Sequence, residues 1–213
     1  MKVIVKKSSY RYDELKPAFF GIMDAIGGRN IPRGSRVLIK PNMLSASTPE
    51  QALLTHPLII RAAAEYAKEL DAHVLIADSQ AIGSFDKIAR ENGTTEALRD
   101  LDLEFRPFQD SVATDIGKPF DAIDLAADAL DADFVINLPK LKTHEQMLLT
   151  LAVKNMFGCV VGFRKAEWHM RTGINRELFA KLLVLICRRI NPGFTVLDGI
   201  LGMEGECPGK RGI

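Results

Sequence analysis

Lys140, Lys142 and His144 occupy every second position at the end of the segment NLPKLKTH. On an extended chain that spacing points all three side chains the same way. Asn137 stands just upstream, where the apolar run Phe134-Val135-Ile136 reads as a buried strand. Pro139 stops that strand, since proline has no N–H for a central ladder. Lys154 and Asn155 follow within an otherwise apolar segment. Cations, an imidazole and amides therefore collect past the C-terminal end of a strand, where open α/β sheets bind ligands. Lysines suit a carboxylate or phosphate as point charges, the amides can orient it, and an imidazole that titrates near neutrality can move its protons.

Three more strand patterns end in polar groups. Val37-Leu38-Ile39 runs into Lys40-Pro41-Asn42, Val74-Leu75-Ile76-Ala77 into Asp78-Ser79, and Phe194-Thr195-Val196-Leu197 into Asp198-Gly199. In a parallel sheet these ends share one rim. The candidate substrate-binding set is Lys40, Asn42, Asp78, Ser79, Asn137, Lys140, Lys142, Lys154 and Asn155. The candidate catalytic residues are His144, His169 and His56. Thr55-His56-Pro57 starts a helix with proline at its first position, which places His56 at an anion-friendly N-terminus. His56, His144 and His169, with Asp198 and Glu204, are also candidate ligands for a divalent metal, since three histidines can hold zinc, iron or nickel. None has close ligand spacing, and His144-Glu145 lacks the second histidine of a zinc-protease helix. The cofactor therefore stays open. Cys159 reads as a small buried hydrophobe and Cys207, in a Gly/Pro-rich loop, as more exposed. Trp168 either stacks on a substrate or covers the core.

These residues must be positioned by one α/β domain of 213 residues, with a mainly parallel sheet and helices on both faces. The expected strands are 2–7, 37–39, 74–77, 103–105, 134–136 and 194–197. The expected helices are 12–26, one or two short ones within 83–98, 123–130, 148–156 and 175–190, besides the one begun at Pro57. Segment 45–55 reads as a long functional loop, 110–120 as a hairpin or insertion, and 163–173 as a loop with one short helix. The given sequence stops within the Gly/Pro-rich loop 199–213, where a sheet would normally continue, so an incomplete domain is expected. Its exposed sheet edge would favour a homo-oligomer.

Lys and Arg number 28 against 27 Asp and Glu, so any preference for anions is local. No basic run interleaves with aromatics, which argues against nucleic acid. The longest apolar run, 182–187, is too short to span a bilayer, so no membrane partner is expected. Three cysteines without CxxC spacing fit a reducing, cytoplasmic setting with no disulfide framework, and no signal peptide is expected ahead of the first strand. Walker A, GxGxxG and GxSxG patterns are absent, which disfavours standard nucleotide binding and serine-hydrolase chemistry.

NLPKLKTH at 137–144 and AVKNMFGCVVG at 152–162 resemble the domain of unknown function family 362. The likeness extends through Ile39-Lys40-Pro41-Asn42, Thr55-His56-Pro57, Asp78-Ser79, His169, and Val196-Leu197-Asp198-Gly199 with Met203-Glu204-Gly205. Many proteins of that family carry a ferredoxin-like segment with two 4Fe–4S clusters. This chain lacks such a cysteine set, so no iron–sulfur cluster is expected within it. A looser likeness to lactate racemases, in lysine- and histidine-bearing strand-end loops, implies a carboxylate substrate or a nickel-type cofactor. The expectation is an enzyme domain that binds a small anionic ligand in redox-linked metabolism. The alternative is a non-catalytic module whose rim docks an iron–sulfur protein partner.

Overall fold

Successive residues of a strand face opposite sides of its sheet, and here both sides are covered. Val37, Ile39, Ile76 and Ile136 pack under helices α1 (Tyr12–Ala25) and α2 (Pro57–Glu69). Their neighbours Leu38, Ala77 and Val135 face the opposite way, into a second core with Phe179, Leu182 and Ile186 of helix α8 (Arg176–Ile190). The strands involved are β1 (Arg36–Lys40), β2 (His73–Asp78) and β6 (Phe134–Asn137). With β3 (Glu104–Pro107) and β9 (Phe194–Thr195) they form a parallel five-stranded sheet in the order β3-β2-β1-β6-β9. The fold is α/β. This description rests on a computed structural model, which describes residues 2–80, 83–162, 164–172 and 175–205.

From β1 the chain builds outward through β2 and β3, then returns to lay β6 on the other side of β1. The β1/β6 boundary is thus the topological switch point, and the crevice beyond it is the usual ligand position in such sheets. A second sheet, in the order β10-β7-β8, stands next along the chain: β7 (Lys140–His144) pairs parallel with β10 (Asp198–Met203) and antiparallel with β8 (Leu148–Thr150). Between β2 and β3 lie α3 (Phe85–Glu91) and α4 (Thr94–Leu98), divided at Asn92-Gly93, with Gly93 at φ +77°. After β3 comes an antiparallel hairpin of β4 (Ser111–Gly117) and β5 (Asp121–Ala126), then α5 (Ala127–Asp131), α6 (Ala152–Asn155) and α7 (Arg164–Thr172).

Several local expectations are corrected. Residues 2–7 form no strand: Val3 and Val5 are 79% and 91% exposed, so the apolar side of that pattern meets no core. Segment 123–130 is helical only from Ala127, because Ile123 and Leu125 alternate inward on β5. Segment 148–156 begins as strand β8, with Leu148 at φ +62° and opposite His144; the helix is only α6, continued by a 3-10 turn, Met156–Cys159. Strand β9 has just two residues. Asp198 does not end it but opens β10, because the N–H groups of Val196 and Asp198 bond the carbonyls of Asn137 and Pro139 and carry the chain across to the second sheet. Segment 45–55 contains a 3-10 turn, Pro49–Gln51, and buries Leu53 and Leu54 in a satellite core with Met43, Phe85, Ile88 and Met203. Segment 163–173 holds the nine-residue helix α7; its outer residues Phe163 and Gly173, like Cys207 and the rest of 206–213, lie outside the described residues.

Candidate functional site

Three strands end in a buried polar layer. Lys40 closes β1 and Asp78 closes the adjacent β2; their side chains are essentially excluded from solvent and pair at 2.7 Å. Lys40 Nζ also donates to the Pro41 carbonyl at 2.7 Å. The Asp78 carboxylate accepts the backbone N–H groups of Met43 and Ser79, each at 2.8 Å. A buried charge persists only when paired and hydrogen-bonded, and here each end of the ion pair has further partners. Gly158 lies directly over it. A Cβ at that position would come within 2.4 Å of Asp78 Oδ1 and 2.5 Å of Lys40 Nζ.

Beside the pair runs a chain of amides. Lys142 Nζ donates to Asn42 Oδ1 at 2.8 Å, Asn42 Nδ2 to Asn155 Oδ1 at 2.9 Å, Asn155 Nδ2 to Asn137 Oδ1 at 2.8 Å, and Asn137 Nδ2 to the Ala152 carbonyl at 3.1 Å. Lys142 also caps the Leu53 carbonyl at 2.7 Å. The chain ties the segment after β1 to β6, β7 and α6 at the switch point.

Above this layer is a cavity of about 470 Å³. Among the described residues its charged lining is Lys40, Lys142, Lys154 and Lys165 against the single carboxylate of Asp78. Asn42, Ser79 and Asn155 also line it, as do His144 from the end of β7 and His169 from α7. The two imidazole rings lie nearly parallel, 12° apart, with centroids separated by 6.5 Å. His169 also packs on Phe157 and Phe179. His144 Nδ1 accepts the backbone N–H groups of Gln146 and Met147, so its proton is on Nε2. His169 Nδ1 faces Gln146 Oε1 at 3.0 Å; a carbonyl oxygen only accepts, so His169 carries its proton on Nδ1. One ring thus keeps a free N–H and the other a free lone pair.

Both rings are held far below the ordinary imidazole value. Burial pulls His144 down to about 3, helped by Lys154, His169 and Lys142. Burial pulls His169 down to about 4, helped by Lys154 and Lys165. His56, outside the cavity, also falls to about 4, through burial and then Lys140 against the opposing pull of Asp198. In the unfolded chain the same rings take up protons near ~6.5. Between those values the unfolded state binds more protons, so stability is fully present above about pH 6.5 and declines as the pH falls toward about 4. The urea midpoint should drop across that window, mostly above the range in which carboxylates titrate, and the double variant His144→Gln/His169→Gln should flatten the slope. A pH-independent midpoint in the parent chain would show the rings to be solvated instead.

The remaining sequence candidates lie elsewhere. Lys140 and Asp198 form a separate buried ion pair at 2.8 Å, joined by the Tyr10 hydroxyl and the His56 backbone N–H. His56 does cap α2, but with its own Nδ1, which accepts the Leu58 N–H at 3.2 Å, while its ring stacks on Tyr10 at 3.6 Å. The anion at that helix start is Asp198 of the chain itself. Glu204 is exposed. The metal set His56, His144, His169, Asp198 and Glu204 is therefore not assembled, and among the described residues no three His, Cys, Asp or Glu side chains gather as a metal site. Trp168 is buried, edge-on to Phe120, and covers the core. Cys159 is fully buried, and burial pushes its thiol up to about 12, which leaves it chemically quiet.

Two positions of the candidate site escape a reading of the sequence. Lys165 sits in a polar, aperiodic segment that resembles a solvated loop. Gly158 looks like a helix stop; only the adjacent charges reveal that it is needed for close approach.

The family model described as Domain of unknown function (DUF362) matches residues 37–212. The chain belongs to that family. All the cavity residues named above fall within the match. Thylakoid-associated protein sll1697 of Synechocystis sp. is 36% identical over 207 residues, covering 96% of this chain. The chain spans 64% of the length of that curated relative. Among solved structures, the lactate racemase apoprotein from Thermoanaerobacterium thermosaccharolyticum aligns over 90% of this chain and 49% of its own, at 12% identity and a TM-score of 0.43. Among the described residues no helix is long and apolar enough to cross a membrane.

Proposed function

We propose that this chain binds a small anionic substrate, a carboxylate or phosphate, in the switch-point cavity, and that His144 and His169 move protons on it. The observation that carries this reading is the imbalance of charge in the cavity lining, where the described residues include Lys40, Lys142, Lys154 and Lys165 and one carboxylate, Asp78. In a partly dry crevice such an imbalance attracts an anion far more strongly than the chain's net charge of +1 would. The opposite tautomers of the two neutral rings supply a hydrogen-bond donor that can polarise the ligand, on His144, and a lone pair that can take a proton from it, on His169. The redox-linked setting is part of the same proposal and rests on the family resemblance.

Concavity favours this reading over the docking module. A rim that docks an iron–sulfur protein would present its lysines on a flat surface, whereas an enzyme encloses them. The test is calorimetric titration of the full chain with inorganic phosphate and with lactate. One of the two should bind, and Lys142→Met should weaken it by about 10- to 100-fold, as expected for one charge-assisted contact of about 1.5–3 kcal/mol. Affinity should also fall with added salt. If neither anion bound, or if Lys142→Met left the affinity unchanged, the proposal would fail.

A further inference from the structure

We infer that Lys165 is a nucleophilic amine that condenses with a carbonyl group on the bound anion, so that the ligand is an aldehyde or ketone carrying a carboxylate or phosphate. The inference deepens the anion-site reading and rests on it.

The lysines of the cavity are held differently. Lys40 is locked by the Asp78 carboxylate and by a carbonyl oxygen. Lys142 is fixed by the Asn42 amide and the Leu53 carbonyl. Lys165, in the first turn of α7, donates to a single backbone oxygen, that of Ser79, and among the described residues it forms no ion pair with a carboxylate. It lines the same cavity as Lys142, Lys154 and His169. An amine there can release its proton without leaving a carboxylate uncompensated. Burial draws its pKa down to about 8, with Lys40 adding to the effect and Asp78 opposing it. A share of Lys165 is therefore unprotonated near neutrality, the condition a nucleophilic lysine needs.

The chemistry balances without any oxidant or reductant. The Lys165 nitrogen lone pair attacks the carbonyl carbon; the C–N bond forms, the C=O π bond breaks, and the oxygen takes a proton. The nitrogen gives up one proton to form the carbinolamine; the hydroxyl takes a second proton and leaves as water as the C–O bond breaks and the nitrogen lone pair closes the C=N bond, and loss of the remaining N–H proton leaves an imine. The N–H of His144 can hydrogen-bond to the oxygen and polarise the carbonyl, the lone pair of His169 can receive the proton that the nitrogen releases, and solvent water supplies the protons that the oxygen takes up. The remaining lysines would hold the anionic group.

The test is reductive trapping on the full chain. The protein is incubated with cyanoborohydride and either pyruvate, which carries a carboxylate, or dihydroxyacetone phosphate, and the adduct is mapped by peptide mass spectrometry. The expected result is one reduced adduct, on Lys165, with whichever probe matches the anion subsite. It should be slowed by the non-carbonyl competitors acetate or inorganic phosphate and be absent from K165R, whose fold is checked by circular dichroism. Adducts scattered over surface lysines, or formed equally in K165R, would overturn the inference. The two proposals fail separately. If the anions raise the melting temperature but no adduct forms on Lys165, the nucleophile is wrong and the anion site stands. If the anions bind nowhere and no adduct forms, both are wrong.

Discussion

Replacing Asp198 with alanine should lower the free energy of unfolding by about 3–5 kcal/mol, the usual cost of stranding one member of a buried ion pair. The partner left behind is Lys140, whose side chain is 2% exposed. Burial already pulls the Lys140 pKa below its ordinary value against the attraction of Asp198, and without the carboxylate nothing opposes that pull. Two more groups lose their acceptor: the Tyr10 hydroxyl, bonded at 2.6 Å, and the His56 N–H, bonded at 2.9 Å. Tyr10 is held protonated by the same surroundings, burial first and Asp198 second. The double variant Asp198→Leu/Lys140→Met should recover only the part of the loss that comes from the stranded ammonium, because an apolar pair replaces an ion pair with little net cost while the Tyr10 hydroxyl and the His56 N–H still lack their acceptor. Urea denaturation reads both. In the folded fraction of either variant anion affinity should be unchanged, since this network lies outside the cavity. A loss of binding without a loss of stability would return Lys140 and Asp198 to the ligand site.

The second large effect is expected from a single methyl group. Gly158→Ala places a Cβ 2.4 Å from Asp78 Oδ1, 2.5 Å from Lys40 Nζ and 2.7 Å from Lys40 Cε. Neither side chain can yield freely. Lys40 is held by the Pro41 carbonyl, and Asp78 by two backbone N–H groups. Overfilling a packed site costs about 1–3 kcal/mol, and parting a buried ion pair pushes the cost toward the upper end. The backbone of Gly158 is not in the left-handed region, so no conformational penalty contributes and the whole effect comes from contact. Gly162 is the control: it has φ +65° and open space around its Cβ position, so Gly162→Ala should cost only the backbone strain of about 1–2 kcal/mol. Chemical denaturation and anion titration of the two variants together decide the matter. Gly158→Ala with parental stability and affinity would mean that the ion pair is free to move.

Much of the site is legible in the sequence alone. Strand ends at Lys40, Asp78 and Asn137 can be read from apolar runs that stop in polar residues, and parallel pairing puts those ends on one rim. The misplacement of Lys140 has a geometric cause. Residues at i, i+2 and i+4 of a strand share a face, but the first and last are about 13 Å apart at ~3.3 Å per residue. Lys140 therefore serves the Asp198 network while His144 reaches the cavity, and spacing alone cannot separate them. Asp198 looks like a strand end because the switch from the first sheet to the second happens within Val196 and Leu197, with no turn residue to mark it. The short helix at 152–155 is overextended in the sequence because the apolar residues around Leu148 serve a β-hairpin as readily as a helix. Lys165 is invisible there for another reason: depressed basicity is a property of surroundings contributed by β1, β2 and α7, and no local pattern encodes it.

The amide chain at the switch point has a direction. An ammonium can only donate, so Lys142 obliges Asn42 to turn its oxygen toward it. That leaves the Asn42 NH2 facing Asn155, which must answer with its own oxygen, and the same obligation passes to Asn137 and ends on the Ala152 carbonyl. Three side chains, from the segment after β1, from α6 and from β6, therefore point head to tail, and at Asn155 the same orientation is set a second time by Lys40 Nζ, which donates to its oxygen at 3.5 Å. The arrangement behaves like a row of compass needles. The cation at Lys142 thus fixes the donor-to-acceptor sense of every bond in the row, as far as the first residue of α6.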